Sequence, residues 1–224
     1  MNVFELDSSK LKFNKELVYV TKEQLPQKVV AICQSVKDLY NQGTPFSKMT
    51  ISEIARLAKI GKGTIYEYFF SKEEIIITAM LLELKTELSN VCNAVLIKNS
   101  FQEKYDTSLY WIKERVQTNI LLRQMMLACY SHNSDEEICK LIKQIISFTE
   151  VNEAFDSIIK AGVQEGLFQS PLNKLQEKSA FATLIIGVTA LLKPEEYGNS
   201  SLQDTMNYCK ALFVQILQGI PTLQ

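Results

Sequence analysis

TISEIARLAKIGKGTIYEYF, residues Thr50 to Phe69, reads as two short helices joined by a tight turn at Lys59-Ile60-Gly61. Thr50-Ile51-Ser52-Glu53 is a capping box. The Thr50 hydroxyl can take the Glu53 N–H, and the Glu53 carboxylate can return to the Thr50 N–H. Ile54, Ala55, Ala58, Ile60 and Ile65 are expected to pack the two helices together. Ala55 is small where they would cross most closely. The second helix is then expected to expose Lys62, Thr64, Tyr66, Glu67 and Tyr68. Two helices in this arrangement form a helix-turn-helix, whose second helix enters the DNA major groove with its N-terminal residues against base edges. The unsatisfied N–H groups that open the first helix at Thr50 suit a phosphate.

The flanking sequence is helical too. Pro26 fits a first turn, and Val29, Val30, Ile32, Cys33, Val36, Leu39 and Tyr40 follow at helical spacing up to the stop at Gly43-Thr44-Pro45. Downstream, Ser71-Lys72-Glu73-Glu74 is a second capping box. It opens a long helix over 73–96, with Ile77, Leu81, Leu84, Leu88, Val91 and Val95 in one apolar stripe. Further helices are expected near 101–119, 121–131, from a third box at Ser134 to about Glu165 with Gly166 closing it, from Pro171 to about Leu192, and from Asn199-Ser200-Ser201 to Gly219. The expected fold is all-α. An N-terminal extension (1–25) precedes a three-helix helix-turn-helix domain (26–72), and a larger helical effector-binding and dimerisation domain (73–224) follows.

Composition agrees with that class. Apolar residues are 46% and charged residues 22% of 224, as in a globular chain. Only 8 Gly and 5 Pro are present; many strands would need more turn residues. No apolar run reaches the roughly 20 residues of a membrane span, and the acidic N-terminus, with Glu5 and Asp7, lacks a signal peptide's apolar segment. Five scattered Cys without a C-x-x-C pair read as buried thiols of a reducing cytoplasm. With one His, His132, no metal site is expected, and no cofactor. Residues 1–72 carry 11 Lys/Arg against 7 Asp/Glu, while the rest carries 13 against 18. A basic first third on an acidic remainder suits a polyanion-binding module, and it also fits ordinary scatter of surface charge.

The segment Gly61–Glu74, G-K-G-T-I-Y-E-Y-F-x-S-K-E-E, resembles the signature of the TetR family of bacterial transcriptional regulators. T-x-x-E-I-A-x-x-A at Thr50–Ala58 is similar to that family's first motif helix, so the resemblance spans residues 28–75. It implies that Thr50 meets a phosphate and that Lys62, Thr64 and Glu67 face bases. It further implies that Tyr66 and Tyr68 touch sugar or phosphate, that Lys72 neutralises a phosphate, and that Gly63 lets the backbone approach the duplex. Glu67 either reads a cytosine amine or only orients Lys62. Two positions depart from the pattern. Lys59 stands where the family has Gly in a turn that favours positive φ, and Gly61 stands where a capping Ser or Ala is usual.

The resemblance also implies a cytoplasmic bacterial repressor. It would be a homodimer on a pseudo-palindromic operator in double-stranded DNA, released by a small-molecule effector, with no membrane partner and no enzymatic activity. Large soft side chains at Tyr105, Trp111, Met125, Met126, Cys129, Phe148 and Phe155 are candidates for the effector pocket, although plain core is the commoner use of such residues. Ala182, Ile186, Cys209, Phe213, Ile216 and Leu217, on the last two helices, are candidates for the dimer interface, or close the monomer core instead. Lys10, Lys12 and Lys15 of the extension are placed to reach a minor groove, although Glu5, Asp7 and Glu16 work against it. An effector-independent adaptor is the main alternative. A helical enzyme is a distant one, because His132 has no nucleophile signature around it and the acidic pairs sit in first helical turns.

Overall fold

The computed structural model describes residues 24–119, 123, 148–192 and 201–219, and these form helices and no strand. In chain order they are α1 (Gln27–Asn41), a 3-10 turn (Phe46–Lys48), α2 (Ile51–Ala58), α3 (Lys62–Tyr68), α4 (Lys72–Leu96), α5 (Phe101–Thr118), α6 (Phe148–Gln164), α7 (Lys174–Leu192) and α8 (Leu202–Gln218). No described helix is long and apolar enough to cross a membrane. The extension, the expected 121–131 helix apart from Arg123, the Ser134 box and His132 lie outside the described residues.

Side chains start most of these helices. The Thr50–Glu53 box forms in both directions, with Glu53 N–H to Thr50 Oγ1 at 3.2 Å and Thr50 N–H to Glu53 Oε2 at 3.0 Å. At Ser71 the box is shifted. Glu74 N–H donates to Ser71 Oγ, while the Glu74 carboxylate takes the N–H of Phe70 at 2.6 Å. Ser100 with Glu103 makes a further box at α5. The Ser100 N–H, then the Ser100 hydroxyl and the Asn99 N–H, hold the Glu103 carboxyl below the usual carboxylate range. Helix α7 starts later than Pro171, because Asn173 and Gln176 supply its cap: Gln176 N–H reaches Asn173 Oδ1 at 2.9 Å, and Asn173 N–H reaches Gln176 Oε1 at 3.0 Å. Ser201 caps α8.

Helix ends follow an equally local rule. Gly43 and Gly166 close α1 and α6 at φ +88° and +72°, where the next N–H reaches back five residues, Thr44 to Leu39 O and Leu167 to Gly162 O.

The described residues fall into two compact units, 24–87 with 119 and 123, and 88–118 with 148–192 and 201–219. The division falls inside α4, whereas the sequence reading starts its second domain at residue 73. The capping box marks where a helix begins, which is a different matter from where a unit ends. From Glu74 to Leu82 every residue of α4 is buried, so this part is not the one-sided stripe its periodicity suggests. In the first unit α1 packs on α2, and Val29, Ile32, Val36, Leu39, Phe46, Met49 and Ile54 form its interior.

The second unit is held by aromatic rings. Phe101 meets Phe168 edge-on and Phe213 at a tilt, both at 5.9 Å between centroids, and Tyr105 meets Phe213 at 5.0 Å. Such pairs add about 0.5–1.5 kcal/mol each beyond area burial. Small residues let α7 lie close to its neighbours. Ala180, Thr183, Gly187 and Ala190 form one buried face, and a Cβ on Gly187 would stand 3.1 Å from Leu109 Cδ2. This face looks into the unit. Cys33, Cys92 and Cys209 are buried thiols, and burial with the nearby Glu150 charge pushes Cys92 up to about 11.

Candidate nucleic-acid interface

The helix-turn-helix of α2 and α3 is built around three buried side chains: Ile54, Ile65 (both fully buried) and Ala55. Ala58 and Ile60, expected in the same contact, are half-buried. The turn between the helices ends α2 by two backbone bonds, Lys59 N–H to Arg56 O and Ile60 N–H to Ala55 O at 3.0 Å. That pattern requires a left-handed residue at position 59. Lys59 provides it at φ 56°, ψ 40°. The turn therefore keeps the geometry that glycine would serve, and a lysine bears the strain.

Helix α3 opens at Gly61, which has ordinary extended backbone (φ −74°) and no side chain to cap. Its one buried residue is Ile65, and Phe69 seals its end with 1% exposure. Lys62, Gly63, Tyr66 and Glu67 are exposed, Tyr66 at 58%. Thr64 and Tyr68 are half-buried, which leaves them edges rather than full faces. A Cβ at Gly63 would meet nothing within 4 Å, so no neighbour among the described residues requires glycine there.

Two candidates already have partners. The Thr50 hydroxyl donates to Glu53 Oε2 at 2.7 Å, so a phosphate there would find a carboxylate beside it. Lys72 leans on Ser47 O at 3.4 Å and lies 3.9 Å from Glu73. Phe70, 67% exposed directly after Phe69, is a further surface aromatic of this unit that the sequence reading passed over. The only signal for it was a second Phe following the one that seals the core.

In the second unit the candidates divide differently. Tyr105 and Phe155 belong to the aromatic core, and Trp111 packs against it with Arg115 over its ring. Among the described residues the Tyr105 hydroxyl has no hydrogen-bond partner; burial first, then the nearby Cys209 and Asp106, push it far up. The nearby Thr183 hydroxyl turns to Ala180 O instead. Met125, Met126 and Cys129 lie outside the described residues, as does the Phe148 side chain.

The interface candidates divide between the core and the surface of the unit. Cys209, Phe213 and Leu217 are buried within the unit at 2% exposure or less, because they face the small-residue side of α7 and the rings of α5. Ala182 and Ile186 are exposed, beside Ile185, and Ile216 is half-buried. Among the described residues no group of three His, Cys, Asp or Glu could hold a metal ion.

Comparison with known proteins agrees with this geometry. Residues 42–79, which contain both motif helices, match the family model for bacterial regulatory proteins of the tetR family. Over 162 residues the chain is 25% identical to the uncharacterized HTH-type transcriptional regulator YhgD of Bacillus subtilis, covering 67% of this chain and 76% of that one. Two solved structures share the fold. FadR from Bacillus subtilis, in complex with stearoyl-CoA, is 20% identical at a TM-score of 0.53, over 87% of this chain and 98% of its own. The fatty acid degradation regulator FadR from Bacillus halodurans is 19% identical at 0.56, over 88% and 98%. The family match thus falls on the residues that form the two motif helices, and over this stretch the chain is similar to bacterial regulatory proteins of the tetR family.

Proposed function

We propose that the chain is a repressor that binds a pseudo-palindromic operator as a homodimer and leaves it when a small molecule binds the second unit. The observation that carries the DNA contact is α3 itself. One residue anchors it, while Lys62, Gly63, Tyr66 and Glu67 are exposed among the described residues. Lys62 and Thr64 are assigned to base edges, Glu67 to a cytosine amine or to orienting Lys62, Tyr66 and Tyr68 to sugar and phosphate, Thr50 and Lys72 to phosphate. A dimer would present two such helices about 34–36 Å apart. The exposed Ala182, Ile185 and Ile186 of α7, with the half-buried Ile216 of α8, are the apolar surface assigned to the partner. Met125, Met126 and Cys129, which lie outside the described residues, stay pocket candidates, as does Trp111 at the edge of the core.

Of the two solved structures, the one from Bacillus halodurans is named a fatty acid degradation regulator, and the FadR from Bacillus subtilis is in complex with stearoyl-CoA. Long-chain acyl thioesters are therefore the first effector class to test. An effector that switches the dimer from about 1:99 to 99:1 must prefer the released state by roughly 10⁴-fold. Three substitutions test the DNA assignment. Lys62→Ala and Thr64→Ala should each cost about 1–3 kcal/mol on the operator and relax one base position. Lys72→Ala should weaken all DNA alike and lower the salt slope by about one. Unchanged affinity in all three would remove the assignment.

A further inference from the structure

Glu83 lies in the middle of α4 with a side chain only 13% exposed. Its Oε1 accepts two hydrogen bonds from distant parts of the chain. One comes from Lys37 Nζ of α1 at 2.6 Å, 46 residues away, and the other from Asn119 Nδ2, 36 residues away. Asn119 is 7% exposed and is the first residue after α5. Its own carbonyl accepts the Arg123 N–H at 3.0 Å. All three side chains belong to the DNA-binding unit.

We propose that Glu83 and Asn119 are positioning residues for DNA binding. The carboxylate ties α1 to the point where the chain leaves α5. Helix α1 packs on α2, and α2 on α3, so the pose of the recognition helix depends on a contact that begins at Asn119. Charge-assisted bonds to a shielded carboxylate are about twice as strong as neutral ones, and removing one donor leaves an acceptor short of a partner. Helix α5 carries Phe101, Tyr105 and Leu109 in the core of the second unit. The inference rests on the DNA-binding role, and it adds residues that touch no DNA.

The test is a double-mutant cycle read by operator anisotropy. Asn119→Ala and Lys37→Met should each weaken operator binding about tenfold, and the double variant should lose no more than the worse single, because both donors act through one carboxylate. Glu83→Gln keeps an acceptor in place and should lose less, about threefold. A second readout needs no DNA. Hydrogen exchange at the last turn of α1 should speed up in Asn119→Ala, while α7 and α8 keep their protection. Operator affinity at the wild-type level in Asn119→Ala, or losses that multiply in the double variant, would overturn the proposal. If the wild-type chain binds no operator, the regulatory reading fails separately, and unchanged α1 exchange in Asn119→Ala then decides against the positioning role.

Discussion

Lys59 and Gly63 are four residues apart and carry opposite costs. Lys59 holds a left-handed backbone that disfavours any residue with a Cβ by about 1–2 kcal/mol. Part of that returns to a glycine as extra entropy of the unfolded chain. Lys59→Gly should raise stability by about 1 kcal/mol, near 3 °C in Tm for a chain of this size, measured by thermal unfolding. A Tm that falls would show that the lysine side chain contributes more than the strain costs. Gly63 is the reverse case. It has room for a methyl and sits in a helix, so Gly63→Ala should leave the fold as stable or up to about 1 kcal/mol more stable. Operator affinity should nevertheless fall about tenfold, since the methyl would stand between backbone and duplex. A variant that is more stable and binds equally well would mean that α3 does not approach DNA at this point. The departure at position 59 was legible in the sequence, because the turn type dictates the residue it wants. That Lys59 accepts the strain, rather than altering the turn, needed coordinates.

Helices were the most legible level, and their caps explain why. Thr50–Glu53 and Ser201 sit where the sequence places them, since a cap is a contact between neighbours in the chain. Ser100–Glu103 had the same spacing and could have been read. Asn173 displaced Pro171 because an Asn oxygen satisfies an N–H that a proline ring only tolerates. Tertiary contact was less legible. Apolar spacing says that one face of α8 is covered, and it does not say by what. Phe213, Cys209 and Leu217 are covered by their own chain. The same limit applied to Tyr105 and Phe155, because rings that line a pocket and rings that fill a core share one pattern.

One element-level packing contact gives a sharp test. At Gly162 on α6 the Phe168 ring lies against the backbone, and an added Cβ would collide with its Cζ and stand 2.6 Å from its Cε1. Phe168 is held in turn by Phe101. Gly162→Ala should cost about 1–3 kcal/mol by overpacking, seen in chemical denaturation. No loss would mean that the ring swings aside freely.

At the scale of the whole molecule, the two units share α4, and the break inside it was invisible to a reading that looked for helix ends. The Lys37–Glu83–Asn119 contact was equally hidden, since nothing in one sequence links residues 37, 83 and 119. What was legible was the motif of one unit, and the regulatory account rests on it. The most direct test is fluorescence anisotropy of the purified protein on DNA from upstream of its own gene, over a salt series, with random DNA as competitor. A sequence-specific regulator should bind with two protomers per site and a preference of roughly 10³-fold or more over random DNA. Binding that is weak and equal on both DNAs, at every salt concentration, would contradict it.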